Sequence, residues 1–137
     1  MSQQSLVVFS DLDGTLLDHE TYSFDAARPA LERLRAEQVP VVLCTSKTRA
    51  EIAPLRRALG NAHPFVSEND GAVFIPAEYF PFALTGAERR DALDVIAIGD
   101  RYADLVAALR RASSSSGVPV RGFAHMTDAD VATSTGL

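Results

Sequence analysis

Four consecutive apolar residues, Leu6-Val7-Val8-Phe9, lead through Ser10 into Asp11-Leu12-Asp13-Gly14. An apolar run without polar alternation is the pattern of a strand buried on both faces, and such strands belong to parallel sheets in α/β folds. The abrupt change to acids and glycine makes this strand feed a sharp turn, with Gly14 free to adopt backbone angles that other residues avoid. In extended chain, side chains two apart point the same way, so Asp11 and Asp13 present both carboxylates to one cleft. Two acids held so close repel each other unless a cation or a proton lies between them.

That arrangement suits covalent catalysis at phosphorus. Asp11 is placed to attack in line and carry the phosphoryl group as an aspartyl-phosphate, with Asp13 moving the proton to the leaving oxygen and from the hydrolytic water. A carboxylate approaching a phosphate dianion needs its charge neutralised, which implies Mg2+ held by Asp11 and by Asp13 through its backbone carbonyl. Three plainer readings compete. A calcium loop of the EF-hand type needs glycine at its sixth position, whereas Gly14 is fourth and Leu16 and Leu17 fall where ligands belong. A surface turn rich in Asp and Gly is common after any strand, and Thr15 and Asp18 could simply cap the next segment.

Further along, Asp25 to Glu37 carries Ala27, Leu31 and Leu34 at helical spacing, with Pro29 tolerated in the first turn. The run Val39-Pro40-Val41-Val42-Leu43-Cys44 predicts a second strand, and Arg49 to Leu59 a second helix with Ile52, Leu55 and Leu59 on one face. Strand, helix, strand, helix implies right-handed crossovers, a parallel sheet and a ligand site beyond the carboxyl ends of the strands. Asp11 and Thr45 leave the first two strands at that same edge. Thr48-x-x-Glu51 has capping-box spacing, so a helix N-terminus, with its free N–H groups, starts beside Thr45, Ser46 and Lys47. The hydroxyl of Thr45 or Ser46 can donate to a phosphate oxygen, and Lys47, the sole lysine in the chain, is a candidate anion contact. Pro64 to Ser67 predicts a third strand, and Asn69-Asp70-Gly71 before Ala72-Val73-Phe74-Ile75 predicts a hairpin.

Asp11-Leu12-Asp13-Gly14-Thr15-Leu16 after a hydrophobic strand resembles the first motif of the haloacid dehalogenase-like phosphatases. With Lys47-Thr48-Arg49-Ala50-Glu51, Glu68-Asn69 before Gly71, Phe74-Ile75-Pro76 and Tyr79-Phe80, the pattern from Leu6 to about Phe82 is similar to the mannosyl-3-phosphoglycerate phosphatases, a capped family of that superfamily. The resemblance implies a Rossmann-like α/β core over residues 1–84 and the first part of an α+β cap over 85–137. It implies Asp11 as nucleophile, Asp13 as acid/base, Thr45 as phosphate anchor and Asn69 as a substrate contact, although Asp70 stands where the family more often has glycine. Gly99-Asp100-Arg101-Tyr102-Ala103-Asp104 mimics the superfamily's later acidic metal motif. Because neither a complete cap nor a further lysine precedes it, the chain is expected to stop partway through the cap, before the family's basic residue and final acidic motif.

Composition supplies the exclusions. At 137 residues the chain is about one domain long, with 47% hydrophobic residues for a core. A net charge of −5 argues against a nucleic-acid partner, and no stretch reaches the ~20 apolar residues of a membrane span. The expected partner is a small phosphorylated sugar and the expected location cytoplasmic. Cys44 has no second cysteine to bridge, and His19, His63 and His125 show no metal-ligand spacing. In the C-terminal third, Asp94 to Ile98 predicts a strand, Leu105 and Leu109 a helix, Ser113 to Gly117 a loop, Val118 to Phe123 a strand and Asp128 onward a short helix. Val95-Ile96 and Val118-Val120 are expected to leave apolar surface exposed. The other functions compatible with these residues are a general sugar-phosphate phosphatase and a non-catalytic fragment that binds a phosphorylated ligand.

Overall fold

The computed structural model describes residues 6–68 and 71–135. The elements in chain order are β1 (Val8–Ser10), α1 (Arg28–Ala36), β2 (Val41–Cys44), α2 (Arg49–Leu59), β3 (Phe65–Ser67), β4 (Ala72–Pro76), β5 (Glu88–Arg90), β6 (Leu93–Ala97), α3 (Tyr102–Ser116), a 3-10 turn (Phe123–His125) and α4 (Asp128–Thr135). The chain divides into two compact units, one up to Gly99 and one from Asp100 onward. No helix among the described residues is long and apolar enough to cross a membrane.

The first unit is a six-stranded sheet in the order β1-β2-β3-β4-β6-β5. β1, β2 and β3 are parallel, as the two crossover helices require, with Val8 opposite Val41 and Leu43 opposite Phe65. The hairpin after β3 reverses direction, so β4 is antiparallel to β3 and the sheet is mixed. β6 is antiparallel to β4 and therefore runs the same way as β1. The core lies where the sheet meets its helices and is built from Leu12, Leu17, Val41, Leu43, Ile52, Leu59, Phe65, Phe74 and Val95. Phe65 and Phe74 face each other in register and stack with ring centroids 4.9 Å apart. α2 ends at Gly60 in the left-handed region (φ 60°), and Arg35 from α1 donates to the Leu59 carbonyl at 2.8 Å, satisfying one of the helix's terminal acceptors.

Two margins of the sheet differ in chemistry. β5 carries Glu88, Arg89 and Arg90, all exposed, and Arg89 pairs with Asp94 at 2.6 Å. β1 is the opposite margin and is apolar, with Phe9 68% exposed. The Val8 N–H donates to Pro40 of the segment leading into β2, so the backbone groups of Phe9 point the other way, off the sheet.

The second unit holds two departures from the sequence reading. The serine tract 113–116 is the last turn of α3 rather than a loop, because serine does not break a helix and termination waits for Gly117 at φ 70°. Val118 to Phe123 forms no strand. Ser113 Oγ donates to the Val118 carbonyl at 2.7 Å and accepts from Val120 N at 3.1 Å, which takes up backbone groups a ladder would need. Val118 and Val120 are exposed as expected, but Val95 is buried in the core of the first unit. β5 and β6 extend the sheet, so the first unit closes at Gly99 and not near residue 84.

Candidate active site

Asp11 follows the last residue of β1 and is exposed, while Leu12 beside it is wholly buried and Asp13 is half-buried. Leu12 thus anchors the turn in the core between two more exposed acids. The Leu12 carbonyl accepts from Thr15 N at 3.2 Å and Leu17 N at 2.8 Å, tightening the chain around Gly14 at φ 70°. Open space surrounds Gly14, so its backbone angle rather than a close approach demands glycine there. Asp11 Oδ1 accepts from Leu12 N at 2.7 Å.

Thr45 leaves β2 at the same edge and is 7% exposed. Its N–H donates to the Val66 carbonyl at 3.1 Å, and its Oγ1 accepts from Lys47 N at 3.2 Å. Ser46 is exposed. The Lys47 carbonyl accepts from Glu68 N at 3.1 Å, which ties the loop after β2 to the one after β3. Thr48 caps α2 through both halves of a capping box: Glu51 N donates to Thr48 Oγ1 at 3.4 Å and Thr48 N to Glu51 Oε2 at 2.8 Å. These Thr48 donors hold the Glu51 carboxyl below its ordinary range. Asn69 lies outside the described residues.

The contact that joins the two strand ends is Lys47 Nζ to Asp13 Oδ1 at 2.9 Å, between side chains 21% and 37% exposed. Distance makes it an ion pair, and Asp13 Oδ1 is closed to solvent with no further hydrogen-bond donor among the described residues. The short contact with Asp13 holds the Lys47 ammonium above its ordinary range, against the opposing pull of partial burial. Lys47 Nζ also lies 5.4 Å from the centre of the Tyr22 ring, a neighbour that spacing alone did not reveal. A second such residue is Ser67, opposite Thr45 when the β2–β3 register is continued by one residue, fully buried and, among the described residues, without a partner for its hydroxyl.

The donors at this edge fit a hard cation. An anionic oxygen withdrawn from water calls for positive charge, and Asp11 and Asp13 offer the oxygen ligands that Mg2+ prefers. Among the described residues no group of three or more His, Cys, Asp or Glu side chains could enclose a metal. One carboxylate, that of Asp11, and the Asp13 backbone carbonyl leave the rest of an octahedral shell to water and phosphate oxygens, which is how Mg2+ is commonly bound. Gly99, where the later acidic sequence begins, lies apart from these ligands. Gly99 follows β6, four strands from β1, and a strand spacing of about 4.8 Å puts about 19 Å between those two ends.

A parallel β-α-β-α start with an acid pair leaving β1 and a hydroxyl leaving β2 defines an α/β fold of hydrolase type, and residues 8–80 match the family model of the haloacid dehalogenase-like hydrolases; the chain belongs to that family. Among curated relatives, it is 42% identical over 131 residues to a glucosyl-3-phosphoglycerate/mannosyl-3-phosphoglycerate phosphatase from Methanococcoides burtonii, and 36% identical over 132 residues to one from Persephonella marina. Each alignment takes in 96% of this chain and 48% of the relative, so the chain spans about half the length of the curated relatives it matches. A hypothetical protein from Geobacillus kaustophilus superposes with a TM-score of 0.55 at 26% identity, over 82% of this chain and 37% of that one. A phosphatase of the haloalkanoate (HAD) enzyme superfamily from Bacteroides thetaiotaomicron gives 0.57 at 17% identity, over 81% and 36%, a likeness of fold.

Proposed function

We propose that the whole protein is a cytoplasmic Mg2+-dependent phosphatase that releases phosphate from mannosyl-3-phosphoglycerate, and that residues from 100 onward begin its cap. The observation that carries the chemistry is the Lys47–Asp13 contact, because it brings the β1 acids and the β2 exit loop to one place. The name shared by the two curated relatives supports the substrate. In this reading Asp11 Oδ attacks phosphorus, the bond to the leaving oxygen breaks, and Asp13 gives that oxygen its proton. Water then attacks the aspartyl-phosphate on Asp11, and Asp13 takes the proton back. Thr45 and Ser46 hydroxyls, the N-terminal N–H groups of α2 and the Lys47 ammonium hold the phosphate oxygens, with Asn69 as a further substrate contact. Mg2+, held by Asp11 and Asp13, supplies charge neutralisation between carboxylate and phosphate when bound.

The test is acid-quench trapping of a phosphoenzyme from labelled mannosyl-3-phosphoglycerate, with Asp11→Asn as the control. Label on the parent and none on the variant is expected. Equal labelling of both would remove Asp11 as nucleophile, and label from other sugar phosphates but not from this one would favour the general sugar-phosphate phosphatase.

A further inference from the structure

We infer that Tyr22 is a specificity-determining residue, an aromatic platform for the sugar ring that the phosphate-binding residues do not reach; this rests on the proposed phosphatase reading. Tyr22 sits at φ 55°, in the left-handed region that a bulky side chain adopts rarely and where Gly or Asn would be less strained. The turn that imposes this angle is built closely. Asp18 Oδ1 accepts from Thr21 N and Thr21 Oγ1 at 2.8 Å each and from Glu20 N at 3.1 Å, Tyr22 N donates to the Asp18 carbonyl at 3.0 Å, and Asp18 N donates to Ser23 O at 2.8 Å. The result is a preorganised loop with a large aromatic ring at its strained position.

The ring is 59% exposed and has Lys47 Nζ 5.4 Å from its centre. Lys47 in turn touches Asp13, so Tyr22 stands one side chain away from the reacting carboxylates. A ligand whose phosphate lies against Thr45 and Lys47 extends its glycerate and its uncharged hexosyl ring along the nearest surface. The aliphatic C–H face of a pyranose matches an exposed aromatic ring, whereas a small phosphate monoester or free phosphate ends before it. Stacking reads the shape of a ring face more than the configuration of one hydroxyl, so this platform should accept hexoses that differ at a single carbon.

Calorimetric titration separates this role from phosphate binding. The ligands are inorganic phosphate, 3-phosphoglycerate and mannosyl-3-phosphoglycerate, each with the Asp11→Asn chain so that no turnover occurs. Tyr22→Ala, made on that background, should weaken mannosyl-3-phosphoglycerate by about fivefold, the scale of one aromatic contact, and leave phosphate and 3-phosphoglycerate unchanged. Tyr22→Phe should bind as the parent does, because the ring face and not the hydroxyl makes the contact. Equal weakening of all three ligands by Tyr22→Ala would overturn the inference and make Tyr22 a support for Lys47, and unchanged binding of all three would overturn it as well. A parent that binds phosphate but gains nothing from the hexosyl group defeats the platform while leaving the phosphatase reading in place; a parent that binds none of the three defeats both.

Discussion

Removing Lys47 tests how much of the site is held by charge. A pair at the surface is worth about 0.2–1 kcal/mol and breaking a buried one costs about 3–5 kcal/mol. Here the lysine is four-fifths covered but the carboxylate is about a third open, which screens the attraction. Between those limits we expect Lys47 and Asp13 to couple by about 1–2 kcal/mol. The measurement is a double-mutant cycle of Lys47→Ala, Asp13→Asn and both, by urea unfolding at pH 7. Because the contact raises the Lys47 pKa above the unfolded value near 10.5, the coupling is fully present below that value and fades as pH rises through the folded one. It should also shrink in 1 M salt, since part of the pair faces solvent. With the ammonium gone, one positive charge fewer stands beside the Mg2+ ligands, so Mg2+ should raise the melting temperature of Lys47→Ala more than that of the parent. A coupling within about 0.3–0.5 kcal/mol of zero, the range of independent sites, would show that Lys47 is solvated and that the contact holds nothing.

Thr48→Ala removes the cap of α2 and should lower stability by about 1 kcal/mol, read as a shift in the urea midpoint. Phe65→Ala empties a fully buried ring site against Phe74 and should cost about 3–5 kcal/mol; a smaller loss would mean that the stacked pair is not central to this core. His63 is kept below its usual pKa by burial and then by Arg56, so its share of stability is present above the unfolded value near 6.5 and is lost as pH falls through the folded one. His63→Gln should therefore flatten the decline in melting temperature between about pH 7 and 5.

The parts legible in the sequence were those whose cause is local. The apolar runs around Val8, Val42 and Phe65, the amphipathic spacing of Ile52, Leu55 and Leu59 and the Thr48–Glu51 box act within a few residues, and the parallel strands and capped helix appear where those patterns stand. β5 was not legible, because Glu88-Arg89-Arg90 has no apolar alternation and becomes a strand only by pairing with β6. Val118 to Phe123 failed in the opposite sense: its β-branched residues look like a strand, but Ser113 takes the backbone groups first. At the site, the acids and Thr45 follow from strand periodicity, whereas the Tyr22 ring beside Lys47 depends on a long turn closing around Asp18.

The position of β1 at the sheet margin bears on how firmly the Asp11 carboxylate is held. Among the described residues, β1 is tied along one flank only, by three residue pairs to β2. Asp11 is the next residue, so the stiffness of its position derives from that short ladder and from Leu12 sunk in the core. The outward amide of Phe9 has no strand to shield it and should exchange with solvent far sooner than that of Val42 in the interior of the sheet. A strand docked on the bare flank would slow that exchange and, in the same act, narrow the range of positions Asp11 visits.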